Sequence, residues 1–429
     1  MLVQALYNIV DSIFVAQLSQ DAMNAVTLVF PMQNLMIALG MGTGVGINAI
    51  LSKSLGEKKQ EEADNAANTG ILLNFCHFLL FVLVGLFISK RFIYSQTDID
   101  AVADYGISYL KVISVLSFGC FFQVTFERLL QSTGRTNLSM ISQLTGAIIN
   151  TILDPIMIFG LFGFPRMEVA GAALATCIGQ MCAACVGLFL NIRYNKEIHL
   201  SFYKIIHPNR NTVFWIYFVG VPSTLMMAIG SVMTYFMNLI TGRFSDTAQT
   251  VFGIYFKLQS FFFMPVFGLN NGLIPVLAFN YGAENKKRIM EALKFAVKLA
   301  FSIMVLGLIC FEAIPGLLLK AFNASDELMA IGIPALRIIG IHLPIAAIAI
   351  VLGSVFQAFS RSFFSLIVSL GRQLVILIPA AYLLSLTGNV NNIWWSFPIS
   401  EVGSLILTSI FFIIVKRSVI DRLKEGGET

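Results

Sequence analysis

Charge is what this sequence has least of. Asp, Glu, Lys and Arg together make up 12% of the 429 residues, whereas soluble domains carry about 25%. So few charges cannot cover the water-facing surface of a chain this long, which excludes the soluble globular classes. Histidine occurs only 4 times. His199 and His207 fall in a polar loop, and His77 and His342 have no acid near them in sequence. A His-based enzyme site is therefore not expected. The 6 cysteines, Cys76, Cys120, Cys177, Cys182, Cys185 and Cys310, all lie inside apolar runs. Cys182 and Cys185 form a C-x-x-C with no His nearby, and buried small hydrophobes are expected rather than a redox or metal pair. The N-terminus lacks a basic region and a small-residue cleavage site, so no cleavable leader is expected. Net charge is only +5 and scattered, which argues against a nucleic-acid partner.

What fills the chain instead is apolar. Hydrophobic residues reach 57% and the mean hydropathy is +0.81. Runs such as Thr69–Ser89, Val169–Leu190 and Ile393–Val415 match a bilayer core of about 30 Å, which needs roughly 20 helical residues. Backbone groups find no water in lipid, so spanning segments are helices or closed barrel strands. Run length and the lack of strict alternation select helices. The expected fold is an all-α polytopic membrane protein with about twelve spans. These are Met1–Leu18, Ala25–Ser52, Ala66–Ser89, Tyr105–Gln131, Leu138–Phe162, Val169–Arg193, Thr212–Thr241, Thr247–Phe279, Ile289–Leu319, Leu328–Phe359, Phe363–Leu386 and Ile393–Lys416.

An internal repeat organises them. A shift of 226 maps Gln131–Arg135 onto Gln357–Arg361, Ser19 onto Ser245, and Gln33 onto Gln259. The same shift maps Gly42, Gly46 and Gly56 onto Gly268, Gly272 and Gly282. Shared hydrophobicity explains matched spans but not matched Gln, Gly and Arg positions, so the chain is a duplication. Six spans per copy make the copies parallel repeats, a secondary-transporter plan. The expected organisation is an N-lobe over 1–194, a polar linker over 195–211 and a C-lobe over 212–429. Met1 maps to Met227 although the seventh span starts near Thr212, so the first span is expected to lack about fourteen residues that its copy has. Lys53, Lys58, Lys59, Arg193, Lys196, Lys204, Arg210, Lys286, Lys287, Arg288, Lys416 and Arg417 cluster on one side of the spans. By the positive-inside rule both termini are then cytoplasmic.

Ionisable groups inside spans cost about 2.5–3.5 kcal/mol on insertion scales and are functional candidates by default. Asp11 in span one, Asp154 in span five and Thr176 in span six all sit roughly 10–12 Å below the outer surface, counted at 1.5 Å per residue. Asn150 lies one turn inward of Asp154 on the same face. Pro155 cannot donate to the carbonyl of Thr151, leaving that oxygen free in the same layer. Carboxylates, an amide, a hydroxyl and a bare carbonyl are hard ligands for a small cation such as Na⁺. Two acids in a dry pocket also raise each other's affinity for a proton. The plain alternative is that the acids only cap or bond neighbouring helices. The second copy lacks this chemistry: Asp11 maps to Met237 and Asp154 to Ala380. Gln33, Gln259, Lys257, His342, Arg372 and Glu401 are further polar residues in spans, candidates for a substrate cavity. Arg372 and Glu401 fall near mid-membrane, with an expected vertical offset of roughly 9 Å. Glu127 with Arg128 is expected to be structural.

Tyr7–Val15, Asn150-Thr-Ile-Leu-Asp154-Pro155, Phe164–Met167 and Gly171–Gln180 together resemble the multidrug and toxic compound extrusion (MATE) transporters, bacterial type. The resemblance covers the whole chain. It implies a V-shaped pair of six-helix lobes in a bacterial plasma membrane, acting as a monomer without a cofactor. The implied activity is antiport of cationic, amphipathic compounds against H⁺ or Na⁺. It also implies a first-lobe cation site at Asp11, Asn150, Asp154, Ala172 and Thr176. Some members carry acids in spans seven and ten, but Thr212–Thr241 and Leu328–Phe359 have none, so a second-lobe cation site is not expected. Glu168 stands where similar sequences have Gly, with little consequence expected outside the membrane. Two other readings compete. A lipid-linked oligosaccharide flippase of the related superfamily would need cationic residues lining its cavity and extra spans. A membrane-embedded enzyme would need a nucleophile or a His–acid pair.

Overall fold

The structure, a computed structural model, describes residues 14–15, 17–322 and 324–423. Asp11 and most of the expected first span lie outside the described residues. Nine described helices are long and apolar enough to cross a bilayer, or up to 11 if each of two bent pairs counts as one span.

The chain forms two compact units that divide between Thr224 and Leu225. The first holds α1 (Gln20–Gly56), α2 (Gln60–Tyr94), α3 (Asp100–Val115), α4 (Phe118–Ser132), α5 (Thr136–Phe159), α6 (Glu168–Tyr194), the short α7 (Phe202–Ile206) and the beginning of α8 (Arg210–Gly242). The second holds the rest of α8, then α9 (Asp246–Gly282), α10 (Lys286–Ala313), α11 (Pro315–Lys320), α12 (Asp326–Gly340), α13 (Leu343–Ala358), α14 (Ser362–Ser385), α15 (Val390–Ile393) and α16 (Ser396–Ser418).

The repeat is visible in detail at the helix ends. Ser19 caps α1 by accepting from the Ala22 N–H at 3.0 Å, and Ser245 caps α9 by accepting from the Ala248 N–H at the same 3.0 Å. A serine hydroxyl here satisfies a donor that the first helical turn leaves unpaired. Lys58 and Glu284, a repeat pair, both adopt positive φ after those helices, at 57° and 54°. Gly134 and Ser360 do the same at 77° and 57°. Local chemistry was therefore inherited with the duplication.

Two expected spans are bent. Span four breaks between α3 and α4 by 44°, and span ten breaks between α12 and α13 by 45°. In the second copy Pro344 at the start of α13 cannot donate to the preceding turn, which stops the ladder there. In the first copy no proline is present, and the break falls beside Ser117 and Gly119. A Cβ on Gly119 would lie 2.7 Å from the Met181 nitrogen, so only glycine lets α4 start against the backbone of α6. Span nine ends earlier than expected, at Ala313, because Pro315 opens a separate helix. Span five ends at Phe159, where Gly160 takes a left-handed φ of 74°.

Among the described residues of the first unit are two apolar cores. One gathers Ile47, Leu51, Phe81, Phe121, Phe126 and Ile216; the other gathers Tyr109, Ile113, Ile158, Val169, Ala172 and Cys177. Around them large apolar side chains point outward, Phe87 at 76% exposure among them. A soluble protein does not expose apolar surface on this scale, whereas lipid solvates it. Cys76 and Cys185, expected to be buried, are among those exposed positions, because lipid is as apolar as a core.

The segment after α6 is bound to the first unit. Asp64 accepts from the His199 N–H at 2.8 Å, and Asn68 accepts from the Ser201 N–H at 2.8 Å while donating to the His199 carbonyl at 2.9 Å. Arg135 closes the end with contacts of 2.8 and 3.0 Å to the two Glu197 carboxylate oxygens.

Candidate functional site

The helices α5 and α6 come together because both carry glycine at the crossing. A Cβ on Gly179 would sit 2.7 Å from the Gly146 carbonyl oxygen and 3.0 Å from the Asn150 Cβ. A Cβ on Gly171 would meet the Met157 carbonyl oxygen at 2.5 Å. Backbones this close let short side chains reach across. Ser142 donates to the Ala183 carbonyl at 2.7 Å, and two turns further along α5 Asn150 reaches Thr176.

Asn150 uses its amide nitrogen for two bonds. It donates to Asp154 Oδ1 at 3.1 Å and to Thr176 Oγ1 at 3.3 Å. Both N–H groups are thereby engaged, which fixes the orientation of the amide. Its Oδ1 is buried and has no hydrogen-bond partner among the described residues. Asn150, Asp154 and Thr176 are 3%, 0% and 6% exposed. Ala172, fully buried, lies one turn before Thr176 on α6. Oxygen atoms from two helices thus share one dry site, and a buried acceptor without a donor suits a cation or a protonated partner.

A small cleft continues from Asn150 and Thr176 past Gln123, Gln143, Gly146, Ala147 and Gln180, with room for about one water. These glutamines were not singled out from the sequence, although the signal was there. Gln143, Ala147, Asn150 and Asp154 follow one helical stripe, and Gln180 lies one turn after Thr176. From the cleft Gln123 donates to Glu127 at 2.9 Å. Beside it Arg128 donates to Gln131 at 2.9 Å, and Gln131 donates to Ser139 at 2.9 Å.

The remaining sequence candidates fall in different places. In the second unit Arg372 and Glu401 form an ion pair at 3.1 Å, despite the offset expected from their sequence positions. The expected offset came from a count based on a regular helix, whereas Arg372 lies in the π-helical stretch Gly371–Leu377 within α14, with wider turns, and both side chains are long enough to add their own reach. His342 is buried with its Nδ1 at 2.6 Å from the Ile339 carbonyl, and its ring lies 5.9 Å from that of Phe397. Gln259 accepts from the Tyr255 hydroxyl. Lys257 is exposed on α9, and Gln33 is half-buried on α1. Glu168 has more consequence than expected: it accepts from the Tyr105 hydroxyl at 2.7 Å and pairs with Arg166 at 3.3 Å, tying α3 to the start of α6.

A model of the MatE family matches residues 1–156 and 222–383, most of the chain and both repeats. The chain belongs to the MATE family. Its relatives include an FAD transporter of Shewanella oneidensis, 26% identical, with the match covering 92% of this chain and 87% of that protein. The multidrug export protein MepA of Staphylococcus haemolyticus is 24% identical, with coverage of 98% and 92%. Among solved structures, an outward-facing multidrug resistance MATE family transporter of the MOP superfamily superposes with a TM-score of 0.90, at 24% identity and 98% and 94% coverage. A MOP superfamily transporter from Pyrococcus furiosus gives 0.87 at 23% identity, covering 98% of this chain and 94% of that one. At these identities the superpositions establish the fold of this MATE chain, an all-α multi-pass membrane protein whose named relatives are transporters.

Proposed function

We propose that this MATE chain is a secondary active exporter, moving cationic or amphipathic small molecules out of the cell in exchange for H⁺ or Na⁺. The observation that carries this reading is the buried oxygen cluster of Asn150, Asp154 and Thr176, with the Asn150 Oδ1 open to a donor or cation. Asp11 and Ala172 complete the coupling site in this proposal. A cation or proton neutralises the Asp154 charge there and makes one arrangement of the helices cheaper. Since a ligand shifts an equilibrium only by its differential affinity for two states, a charge-dependent site is the element that coupling requires.

The names of the relatives support export of organic solutes, an FAD transporter on one side and a multidrug export protein on the other. The rest of the reading is an N-lobe over 1–194, a linker over 195–211 and a C-lobe over 212–429, acting as a monomer in a bacterial plasma membrane with both termini cytoplasmic. Gln33, Gln259, Lys257, His342, Arg372 and Glu401 are assigned to the substrate path. The test is ethidium efflux from proteoliposomes with an imposed proton or sodium gradient. Gradient-dependent efflux that is lost in Asp154→Asn is the expected result. Efflux that ignores both gradients, or survives unchanged in that variant, overturns the coupling.

A further inference from the structure

Arg372 and Glu401 are unequally placed partners. The Glu401 side chain is 2% exposed and that of Arg372 30%, and a single contact joins them, Nη1 to Oε2 at 3.1 Å. A guanidinium carries five N–H donors. Nε and Nη2 of Arg372 have no hydrogen-bond partner among the described residues. Glu401 is therefore the buried anchor, and the open edge of Arg372 faces accessible space.

The surroundings make this edge selective. Arg372 is the second residue of the π-helical stretch Gly371–Leu377, a distortion that is frequent at functional sites. On neighbouring helices Tyr255, His342 and Phe397 form a packed aromatic group, with Tyr255 and Phe397 ring centroids 5.3 Å apart. More than one turn from their ends, α9, α14 and α16 carry Lys257, Arg372 and Glu401 as their charged residues. Lys257 is exposed, so the charge held inside this region is the Arg372–Glu401 pair itself.

We propose that Arg372, held by Glu401, is an oxyanion subsite that takes the phosphate group of a transported organic solute. The inference rests on the transport reading above and narrows its substrate class to include phosphate-bearing amphipathic molecules. Arg suits this task because its planar fork matches two phosphate oxygens while its remaining edge stays with the carboxylate. Glu401 keeps the guanidinium in place when no solute is bound.

The test is fluorescence titration of the purified full chain with riboflavin and flavin mononucleotide, which share a ring system and differ by one phosphate. Charge-assisted hydrogen bonds to the guanidinium predict that flavin mononucleotide binds about tenfold or more tighter than riboflavin. In Arg372→Gln/Glu401→Gln, which keeps the charge balanced, the two flavins bind within about twofold of each other by the loss of the same contacts. Arg372→Lys retains part of the preference. Equal binding of both flavins to the wild-type chain, or a preference that persists in the double variant, overturns the subsite. Ethidium efflux by the wild-type chain separates the two ideas: if efflux is present and the flavins bind equally, only the subsite fails. If the phosphate preference holds without movement of any solute, the transport reading fails and the subsite stands.

Discussion

The amide of Asn150 on α5 donates to the hydroxyl of Thr176 on α6 at 3.3 Å, so the geometry of one candidate coupling site depends on how closely two helices approach. The same nitrogen donates to Asp154, which leaves the amide oxygen as the group offered to a ligand. Thr176→Ser keeps a hydroxyl and is expected to keep ion-dependent efflux. Asn150→Leu removes the amide and is expected to weaken the apparent ion affinity by about tenfold to a hundredfold, the range for hydrogen bonds to charged groups. Efflux measured against sodium concentration and pH checks both.

Close approach is the second dependence. Gly179→Val places a side chain 2.7 Å from the Gly146 carbonyl oxygen, with backbone rather than a flexible chain in the way. Overpacking of this kind costs about 1–3 kcal/mol. The expected outcome is a lower thermal unfolding temperature in detergent, with gradient-dependent efflux lost at temperatures where the chain stays folded. Gly253→Ala, where no atom stands within 4 Å, is the matched control and is expected to change neither.

Much of this was legible in the sequence, for local reasons. The Asn150–Asp154 spacing depends on residues one turn apart, the match of Ser19 to Ser245 marks the repeat, and run length alone marks the spans. What was not legible depends on contacts between distant residues. Ser117 and Gly119 stand at the bend of span four and mark it only weakly, and the approach of Gly119 to Met181 on another helix shows only in the fold. Pro344 stands at the equivalent bend, but a proline in an apolar run also fits an unbroken span, as expected here for Leu328–Phe359. For Arg372 and Glu401 the sequence allows a pair but does not fix it, because a regular rise does not run through a stretch that is π-helical. Gln123, Gln143 and Gln180 give a weaker signal in the sequence, because an uncharged amide in a span costs less than an acid.

The Arg372–Glu401 pair predicts an asymmetry. Arg372→Met strands a carboxylate that is 2% exposed, and breaking a buried pair in this way costs about 3–5 kcal/mol. Glu401→Gln leaves a guanidinium with access to open space and is expected to cost clearly less. Thermal unfolding of both variants in the same detergent checks the order. Equal losses would show that burial is shared evenly between the partners.

Outside the spans, Glu197 gives a pH dependence. Partial burial pushes its carboxyl up, but the hydrogen bond and charge of Arg135, together with the backbone N–H groups of Glu197 and Lys196, pull it down further, and the net result lies below the ordinary 4.5. A carboxyl lowered in the folded state contributes stability that is fully present above its unfolded value and is lost as pH falls through its folded value. Protection of the amides of residues 195–201 from hydrogen exchange, taken relative to the intrinsic rate at each pH, is therefore expected to be full above pH 4.5 and to fall below it. Because the pair is partly exposed, the effect is small and screened by salt. Arg135→Gln is expected to remove the pH step.

Direct binding of the coupling ion to the purified chain is the measurement that bears most closely on the site. Equilibrium binding of radioactive sodium, together with proton uptake or release on changing pH, reports whether Asp154 and Asn150 hold an ion. Saturable binding of one of the two ions by the wild-type chain, abolished in Asp154→Asn and weakened in Asn150→Leu, is the expected result. Saturable binding that is the same in all three chains would contradict it.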